Sequence, residues 1–321
     1  MHALTPEFFA AHDAVPAPVF HSLVKSATRT ALAFAGSRVD VEGELPRTPA
    51  LLCTNATHRY DFITLMKAVD QSGARVVSVS KAKNFHSAPL AFMMKRCGVV
   101  PLASRGYFIL ADFMAVHGRR PTDDEYRALR AHVDDGTPLS GDELTRMTTT
   151  ARRIAGRAFD PQGILGGPTT WRAAIEGAFA FSTSETVRLA RAAVDVGHHV
   201  QIYPEGTVSA RLGTGRRGAV QLAHALGLPI VPVGMSGCPD VFVGNTPLPK
   251  RGRVVVRVGA PLNVSLPREH RAFLPADERD HRAALDHATE QVMDALDGLL
   301  DAKYRRASSP VPAQTRTSAL L

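Results

Sequence analysis

The chain has 321 residues, 45% of them hydrophobic and 21% charged, which suffices for one large globular domain or two small ones. Its net charge of +8 favours an anionic partner such as phospholipid headgroups, nucleic acid or a phosphorylated substrate. Nucleic acid is disfavoured, because only 6% of the residues are aromatic and no known nucleic-acid-binding motif is present.

In chain order, an N-terminal helical segment at 1–38 precedes an alternation of predicted strands and helices. Apolar runs bounded by turn residues predict strands at 50–54, 75–80, 98–102, 199–203, 229–235 and 253–258. Periodic apolar stretches predict helices at 61–71, 87–97, 171–196, 217–226 and 280–300. This alternation predicts an α/β fold in which a mostly parallel sheet is flanked by helices.

Residues 106–170 interrupt the alternation and predict a mostly helical insertion within a main domain at 39–300. Inside it, Thr122 is a typical N-cap for a helix that begins at Asp123. The last segment, 301–321, is polar and contains prolines, so we predict a disordered tail.

The most informative loop is Tyr203–Ser209, which reads Tyr-Pro-Glu-Gly-Thr-Val-Ser and follows a predicted strand. In α/β sheets, ligands usually bind in loops that follow the carboxyl ends of strands. Glu205 places a carboxylate there, Gly206 allows close approach of the backbone, and Thr207 and Ser209 add hydroxyls. The pattern alone is equally typical of a tight turn with a solvated glutamate.

Several blocks, in order, resemble those of the glycerolipid acyltransferases, the family that contains lysophosphatidate acyltransferase. Tyr203–Ser209 resembles the family's Phe-Pro-Glu-Gly-Thr-Arg-Ser block, and 227–233 resembles the block that follows it. Upstream, 41–55 resembles the lead-in to the family's first block, and 252–261 resembles its closing strand. The resemblance covers roughly residues 39–105 and 185–265.

This resemblance implies an activity in phospholipid biosynthesis. A fatty acyl group would pass from acyl-CoA or acyl-carrier protein to the hydroxyl of a lysophospholipid, with 1-acyl-glycerol-3-phosphate as the first candidate. The thioester donor is already activated, so the protein has to supply only a base, orientation and oxyanion support. No metal and no cofactor beyond the acyl carrier is implied.

The first block departs from the family at its most important position. Relatives have a histidine directly after the asparagine, which acts as general base while the aspartate orients it. Here Ala56 follows Asn55, although Asp61 stands where the family has its aspartate. The nearest imidazole is His58, and residues three apart share a face in a turn or helix. We predict His58 and Asp61 as the catalytic pair, the alternative being that Asp61 caps a helix and His58 is a surface residue.

The resemblance also implies a set of substrate-binding residues. Arg105 follows a predicted strand, as the phosphate-binding arginine of the family's second block does, and a guanidinium suits phosphate because it donates two parallel hydrogen bonds. A solvated loop arginine is the alternative. The other predicted substrate-binding residues are Glu205, Gly206, Thr207 and Ser209. Val208 replaces the arginine usual in the third block, and three nearby arginines are placed to compensate: Arg211, Arg216 and Arg217.

Two other functions remain open. Ala56 favours a catalytically silent homologue that binds lipid, and Val208 favours an acyltransferase acting on an acceptor without phosphate. The segment 213–218 matches the dinucleotide-binding pattern Gly-x-Gly-x-x-Gly, but it does not directly follow a strand, so we predict no nucleotide site.

Two stretches that mix apolar and basic residues, 19–35 and 89–96, predict contact with an anionic membrane, with packing on the core as the alternative. No stretch reaches the ~18–20 apolar residues that a spanning helix requires, and the start of the chain lacks the pattern of a signal peptide. The three cysteines are scattered, which indicates neither a zinc site nor a disulfide framework. We therefore expect a cytoplasmic, peripheral membrane protein.

Overall fold

The computed structural model describes residue 4 and the ranges 6–15, 18–71, 75–139, 171–242 and 248–307, together with positions 73, 244 and 246. Within these residues the chain forms one seven-stranded sheet in the order β1-β7-β6-β2-β5-β3-β4. The strands are β1 Arg38–Glu42, β2 Leu51–Thr54, β3 Val76–Lys81, β4 Val100–Leu102, β5 His199–Ile202, β6 Ile230–Ser236 and β7 Arg253–Val258.

The sheet is parallel except at one pair of strands. β6 and β7 pair antiparallel, whereas the other neighbouring strands pair in parallel. All residues of β2, β5 and β6 are buried, as expected of central strands covered by helices on both faces. The predicted α/β class with a mostly parallel sheet is therefore confirmed. The edge strand β1 was missed, because it is short and none of its residues is fully buried.

Helices cover both faces of the sheet. They are α1 Pro6–Ala10, α2 Pro18–Phe34, α3 Asp61–Gln71, α4 Ala88–Arg96, α5 Arg105–His117, α6 Asp123–Asp135, α7 Trp171–Asp195, α8 Gly218–Leu226, α9 Cys238–Val241, α10 Pro275–Asp280 and α11 Arg282–Gly298. The five helices predicted at 61–71, 87–97, 171–196, 217–226 and 280–300 each begin and end within two residues of their predicted bounds. Thr122 caps α6 as predicted, in a reciprocal capping box with Glu125.

The connections after β2 and β5 leave the sheet on opposite faces. α3 packs with the smaller core, which contains Leu65 and Phe242, whereas α8 packs with the larger core, which contains Leu222 and Trp171. Diverging connections of this kind open a crevice at the carboxyl ends of the two strands, where α/β proteins bind ligands.

The structure describes part of the predicted insertion and part of the predicted tail. The first part of the predicted insertion 106–170 is helical, and its helices α5 and α6 contribute to the larger core through Phe113 and Leu129. Residues 140–170 lie outside the described residues.

The predicted disorder of 301–321 is wrong for 301–307, because Tyr304 is buried and its carbonyl accepts a hydrogen bond from the N–H of Leu212 at 2.8 Å. Residues 308–321 are outside the described part of the chain.

Candidate active site

The carboxyl ends of four adjacent parallel strands, β6, β2, β5 and β3, meet at one edge of the sheet. β2 continues into the loop 55–60 and β5 into Tyr203–Ser209, while Lys81 is the last residue of β3. After β6 the chain turns through α9 to Phe242. The loops of the two blocks that resemble the acyltransferase family therefore follow neighbouring strands.

Two hydrogen bonds join these blocks at Ala56. Its N–H donates to Oε2 of Glu205 at 3.0 Å, and its carbonyl accepts from the N–H of Ser209 at 2.9 Å. The two loops thus meet at one edge of the sheet. Ala56 itself is 5% exposed, so the position that corresponds to the histidine of the resembling acyltransferase block lies inside the junction.

Glu205 holds the junction from within the protein. The residue is 3% exposed, and its Oε1 accepts hydrogen bonds from the hydroxyl of Ser209 at 2.7 Å and the N–H of Gly213 at 2.8 Å. Burial raises the pKa of the Glu205 carboxyl, although its hydrogen-bond donors lower it in part. Both of its oxygens are engaged with the protein, so Glu205 crosslinks the loops rather than projecting towards solvent.

The rest of the loop is more open. Gly206 has a φ of 63°, a left-handed conformation that favours glycine, and its N–H closes a turn onto the carbonyl of Tyr203 at 2.9 Å. Thr207 and Val208 are exposed at the tip. Of the four predicted substrate-binding residues here, Glu205 and Ser209 therefore bond within the protein, and Thr207 faces solvent.

Asn55 fixes the first loop to β6. Its side-chain amide donates to the carbonyl of Met235 at 2.9 Å and accepts from the N–H of the same residue at 2.7 Å. The asparagine is 1% exposed, which makes this pair of hydrogen bonds part of the core.

Asp61 shapes the same loop from its other end. Its Oδ2 accepts from the N–H groups of Thr57 at 2.6 Å and of His58 at 2.8 Å, which precede α3 in the chain. The carboxylate is fully buried, and its Oδ1 has no hydrogen-bond partner among the described residues. Burial raises the pKa of Asp61 to about 7, while the two N–H donors and the side chains of Cys238 and Thr57 act in the opposite direction.

The ring of His58 turns away from Asp61. Its Nε2 lies 3.1 Å from the carbonyl oxygen of Gly244, and its Nδ1 accepts from the N–H of Tyr60 at 3.3 Å. These partners place the ring proton on Nε2. The imidazole stacks on Phe242 with 5.8 Å between ring centroids. His58 and Asp61 are thus joined through the backbone, and the expected contact between imidazole and carboxylate is not formed, because the ring packs against aromatic neighbours.

Arg105 lies at the same edge, at the start of α5, but it is already paired. Its guanidinium donates to Glu278 at 2.6 Å, lies 3.5 Å from Asp134 and covers the ring of Phe179. The side chain is 12% exposed. An arginine neutralised in this way is not presented to an incoming phosphate unless both carboxylates release it.

Other cations near the junction are better placed than Arg105 to meet a phosphate. We call them the basic rim: Arg59, Lys81, Lys83, Arg120 and Arg216. The side chain of Lys81 is exposed at the surface. Neighbouring protein atoms remove part of its hydration, and this desolvation, together with the charges of Lys83 and Arg216, lowers its pKa to about 8. Desolvation, then the charges of Arg59 and Arg120, lower the pKa of Lys83. Within the described residues no carboxylate forms an ion pair with Arg59, Lys81 or Arg216, in contrast to Arg217, which pairs with Asp286 at 2.6 Å.

Sequence reasoning missed Lys81 and Arg59. Arg216 had been named as one of three arginines able to compensate for Val208, and it packs beside Gly206. The available signal for Lys81 was its position at the end of a predicted parallel strand, where side chains reach the same edge as the other loops.

The described residues include no group of three histidine, cysteine, aspartate or glutamate side chains arranged to hold a metal ion. In the same part of the chain, no helix combines the length and the apolar character needed to cross a bilayer.

No protein-family model matches the chain, and no curated protein matches it. Among solved structures, the 1-acyl-sn-glycerophosphate (LPA) acyltransferase PlsC from Thermotoga maritima is similar, with 12% sequence identity and a TM-score of 0.42. The match covers 83% of this chain and 78% of the Thermotoga chain. At this identity, the activity of the Thermotoga protein does not transfer to this chain.

Proposed function

We propose that this protein transfers an acyl group from a thioester donor, acyl-CoA or acyl-carrier protein, to the hydroxyl of an anionic lysophospholipid. The observation that carries the proposal is the junction at Ala56, where hydrogen bonds to Glu205 and Ser209 join two sequence blocks that resemble the acyltransferase family. The first candidate acceptor is 1-acyl-glycerol-3-phosphate, met at the surface of an anionic membrane.

The basic rim supports an acceptor that carries phosphate. Lys81 and Arg216 repel each other, and no carboxylate of the described residues pairs with either one, so an anion bound there reduces this repulsion. Arg216 lies beside Gly206 and supplies the positive charge that Val208 does not. A phosphorylated acceptor fits this rim better than a neutral one.

In the proposed reaction, His58 acts as general base. The acceptor hydroxyl replaces the carbonyl of Gly244 at Nε2, and the ring leaves the N–H of Tyr60 so that its own proton moves to Nδ1. Nε2 then removes the hydroxyl proton as the oxygen attacks the thioester carbon. The carbon–sulfur bond breaks, and the departing thiolate takes the proton from the imidazolium.

A second candidate function is favoured by the same geometry. With Ala56 at the histidine position and both ring nitrogens of His58 bonded to the backbone, the structure also fits a homologue that binds lipid without transferring an acyl group. The loop junction and the basic rim would then serve binding alone.

A single assay separates the candidates. Purified protein is incubated with radiolabelled acyl-CoA or acyl-carrier protein and, in parallel, with lysophosphatidate, lysophosphatidylcholine or monoacylglycerol. Labelled phosphatidate as the main product supports the proposal, whereas preference for monoacylglycerol points to an acceptor without phosphate. Binding of lysophosphatidate without any labelled product overturns the enzymatic proposal in favour of a lipid-binding homologue.

A further inference from the structure

The helix α4 turns its apolar side to solvent. None of its nine residues is buried, and the exposed ones are Ala88, Pro89, Phe92, Met93 and Arg96. Positions spaced in this way lie along one face of a helix. Phe92 is 57% exposed and Met93 is 39% exposed, so two large apolar side chains stand side by side on the surface.

The other segment with membrane-like composition, α2, has a different surface. Its exposed face carries mainly serine, threonine and alanine, although Leu23 and Phe34 are also exposed. Both of its cations, Lys25 and Arg29, form ion pairs with Asp70 of α3. The cations of α2 are therefore neutralised by a carboxylate of the protein. The two segments have similar composition, but they differ in the partners of their basic side chains.

The two cations of α4 contact aromatic rings. The guanidinium of Arg96 lies 5.2 Å from the centre of the Phe92 ring, and the ammonium of Lys95 lies over Phe8. Among the described residues neither forms an ion pair with aspartate or glutamate. An apolar tip flanked by unpaired basic groups is complementary to a bilayer with anionic headgroups.

The size of the patch also favours lipid. A stable protein interface buries about 800 Å² on each partner. One helical face with two large apolar side chains supplies much less, but interfacial insertion needs only a small apolar tip and nearby positive charge.

We propose that α4 is the membrane-contacting element of this protein. Phe92 and Met93 enter the interfacial region of an anionic bilayer, while Lys95 and Arg96 meet the headgroup phosphates. α4 follows the end of β3 after a short 3₁₀ turn at 82–85, so docking through α4 places Lys81 and the rest of the basic rim beside the lipid surface. This surface does not depend on whether the protein catalyses acyl transfer.

Co-sedimentation with vesicles tests the surface without any measurement of activity. The probes are vesicles rich in phosphatidylglycerol and vesicles of pure phosphatidylcholine, each at low and high salt. We expect binding to the anionic vesicles, weakened by salt, and a loss of about tenfold or more when Phe92→Ser and Met93→Ser are combined. The matched control combines Leu23→Ser with Phe34→Ser on α2 and should bind like the wild type.

A second measurement locates the contact. In a Phe92→Trp variant, brominated lipids should quench the new tryptophan, whereas Trp171 is fully buried and supplies an unquenched background. A Phe34→Trp variant should not be quenched. The proposal is overturned by quenching at position 34 alone, by binding that survives the α4 substitutions, or by failure to bind either vesicle at low salt. It is also overturned if the α4 substitutions abolish self-association of the chain instead of vesicle binding.

Discussion

Asp61 contacts His58 through the peptide N–H, at 2.8 Å from Oδ2, while the imidazole of His58 points to the carbonyl of Gly244. The carboxylate uses Oδ2 to hold the loop, whereas Oδ1 has no N–H donor among the described residues and the Cys238 thiol is a side chain that interacts with the carboxylate. A buried carboxylate with so few donors costs stability when it is charged. The pair therefore matters for stability as well as for any catalysis.

We expect Asp61→Asn to stabilise the protein at alkaline pH. The pKa of Asp61 is raised from 3.8 to about 7, so the folded state holds the proton more tightly than the unfolded chain, and stability falls as pH rises from about 4 to about 7. The amide oxygen still accepts from Thr57 and His58, and the charge is absent. Urea denaturation at pH 8 should show a gain of about 2–4 kcal/mol that disappears below about pH 4.

Asp195→Asn is the control for this change, because Asp195 is exposed at the end of α7. An Asp61→Asn variant with the same dependence of stability on pH as the wild type would show that this carboxylate does not titrate in the range described.

The equivalent substitution of an amide for the carboxylate at Glu205 should destabilise the protein. Oε2 accepts from Ala56 while Oε1 accepts from Ser209 and Gly213, so an amide nitrogen in either place faces a donor. We expect Glu205→Gln to lower the free energy of unfolding by about 1–3 kcal/mol. Chemical denaturation measures it, with the exposed Glu44→Gln as control. Equal stability of the Glu205 variant and the wild type would rule out the crosslinking role.

Substitution of Lys81 should weaken substrate binding, whereas substitution of Arg105 should lower stability. We expect Lys81→Ala to raise KM for a phosphorylated acceptor about tenfold with little change in kcat, because an anion contact in the rim contributes equally to the ground state and the transition state. Arg105→Gln should leave KM nearly unchanged and lower stability by about 2 kcal/mol, since it removes the nearer of the two arginines that pair with Glu278, at 2.6 Å, and also the contact with Asp134. Steady-state kinetics measure KM and kcat of both variants, and chemical denaturation measures their stability. A raised KM for the Arg105 variant together with an unchanged KM for the Lys81 variant would contradict these roles.

His58→Ala tests the proposed base. Removal of a positioned general base should cut turnover by roughly 100-fold or more while binding of lysophosphatidate is retained. Ala56→His adds an imidazole at the buried junction and should do little, or should harm the junction by crowding Glu205. Acyl transfer that survives His58→Ala removes His58 from the mechanism, and activity gained only with Ala56→His identifies the wild type as silent.

Much of this fold follows from local sequence patterns. Fully buried strands appear in the sequence as short apolar runs, whereas apolar residues in amphipathic helices recur every three or four positions. The bounds of β2, β6, α3 and α7 could therefore be predicted from the sequence. The meeting of the loops after β2 and β5 was also predictable, because parallel strands bring their carboxyl ends to one edge.

The directions of the side chains were not predictable in the same way. The spacing of His58 and Asp61 permits contact between imidazole and carboxylate, but the aromatic surface of Phe242, which follows β6, decides where the ring packs. Arg105 is neutralised by Glu278, 173 positions later, and no local pattern reports such a partner. The position of a functional group follows from topology, whereas its pairing depends on residues that only the folded chain brings close.

The hydrogen bond from Leu212 to the carbonyl of Tyr304 has a consequence for the order in which the protein is made. Synthesis proceeds from the N-terminus, and the segment around Leu212 leaves the ribosome well before Tyr304 does. Until then the loop that carries Glu205 lacks one of the contacts that hold it. A ribosome-bound chain that still lacks Tyr304 therefore holds the candidate site with one hydrogen bond fewer than the complete chain does.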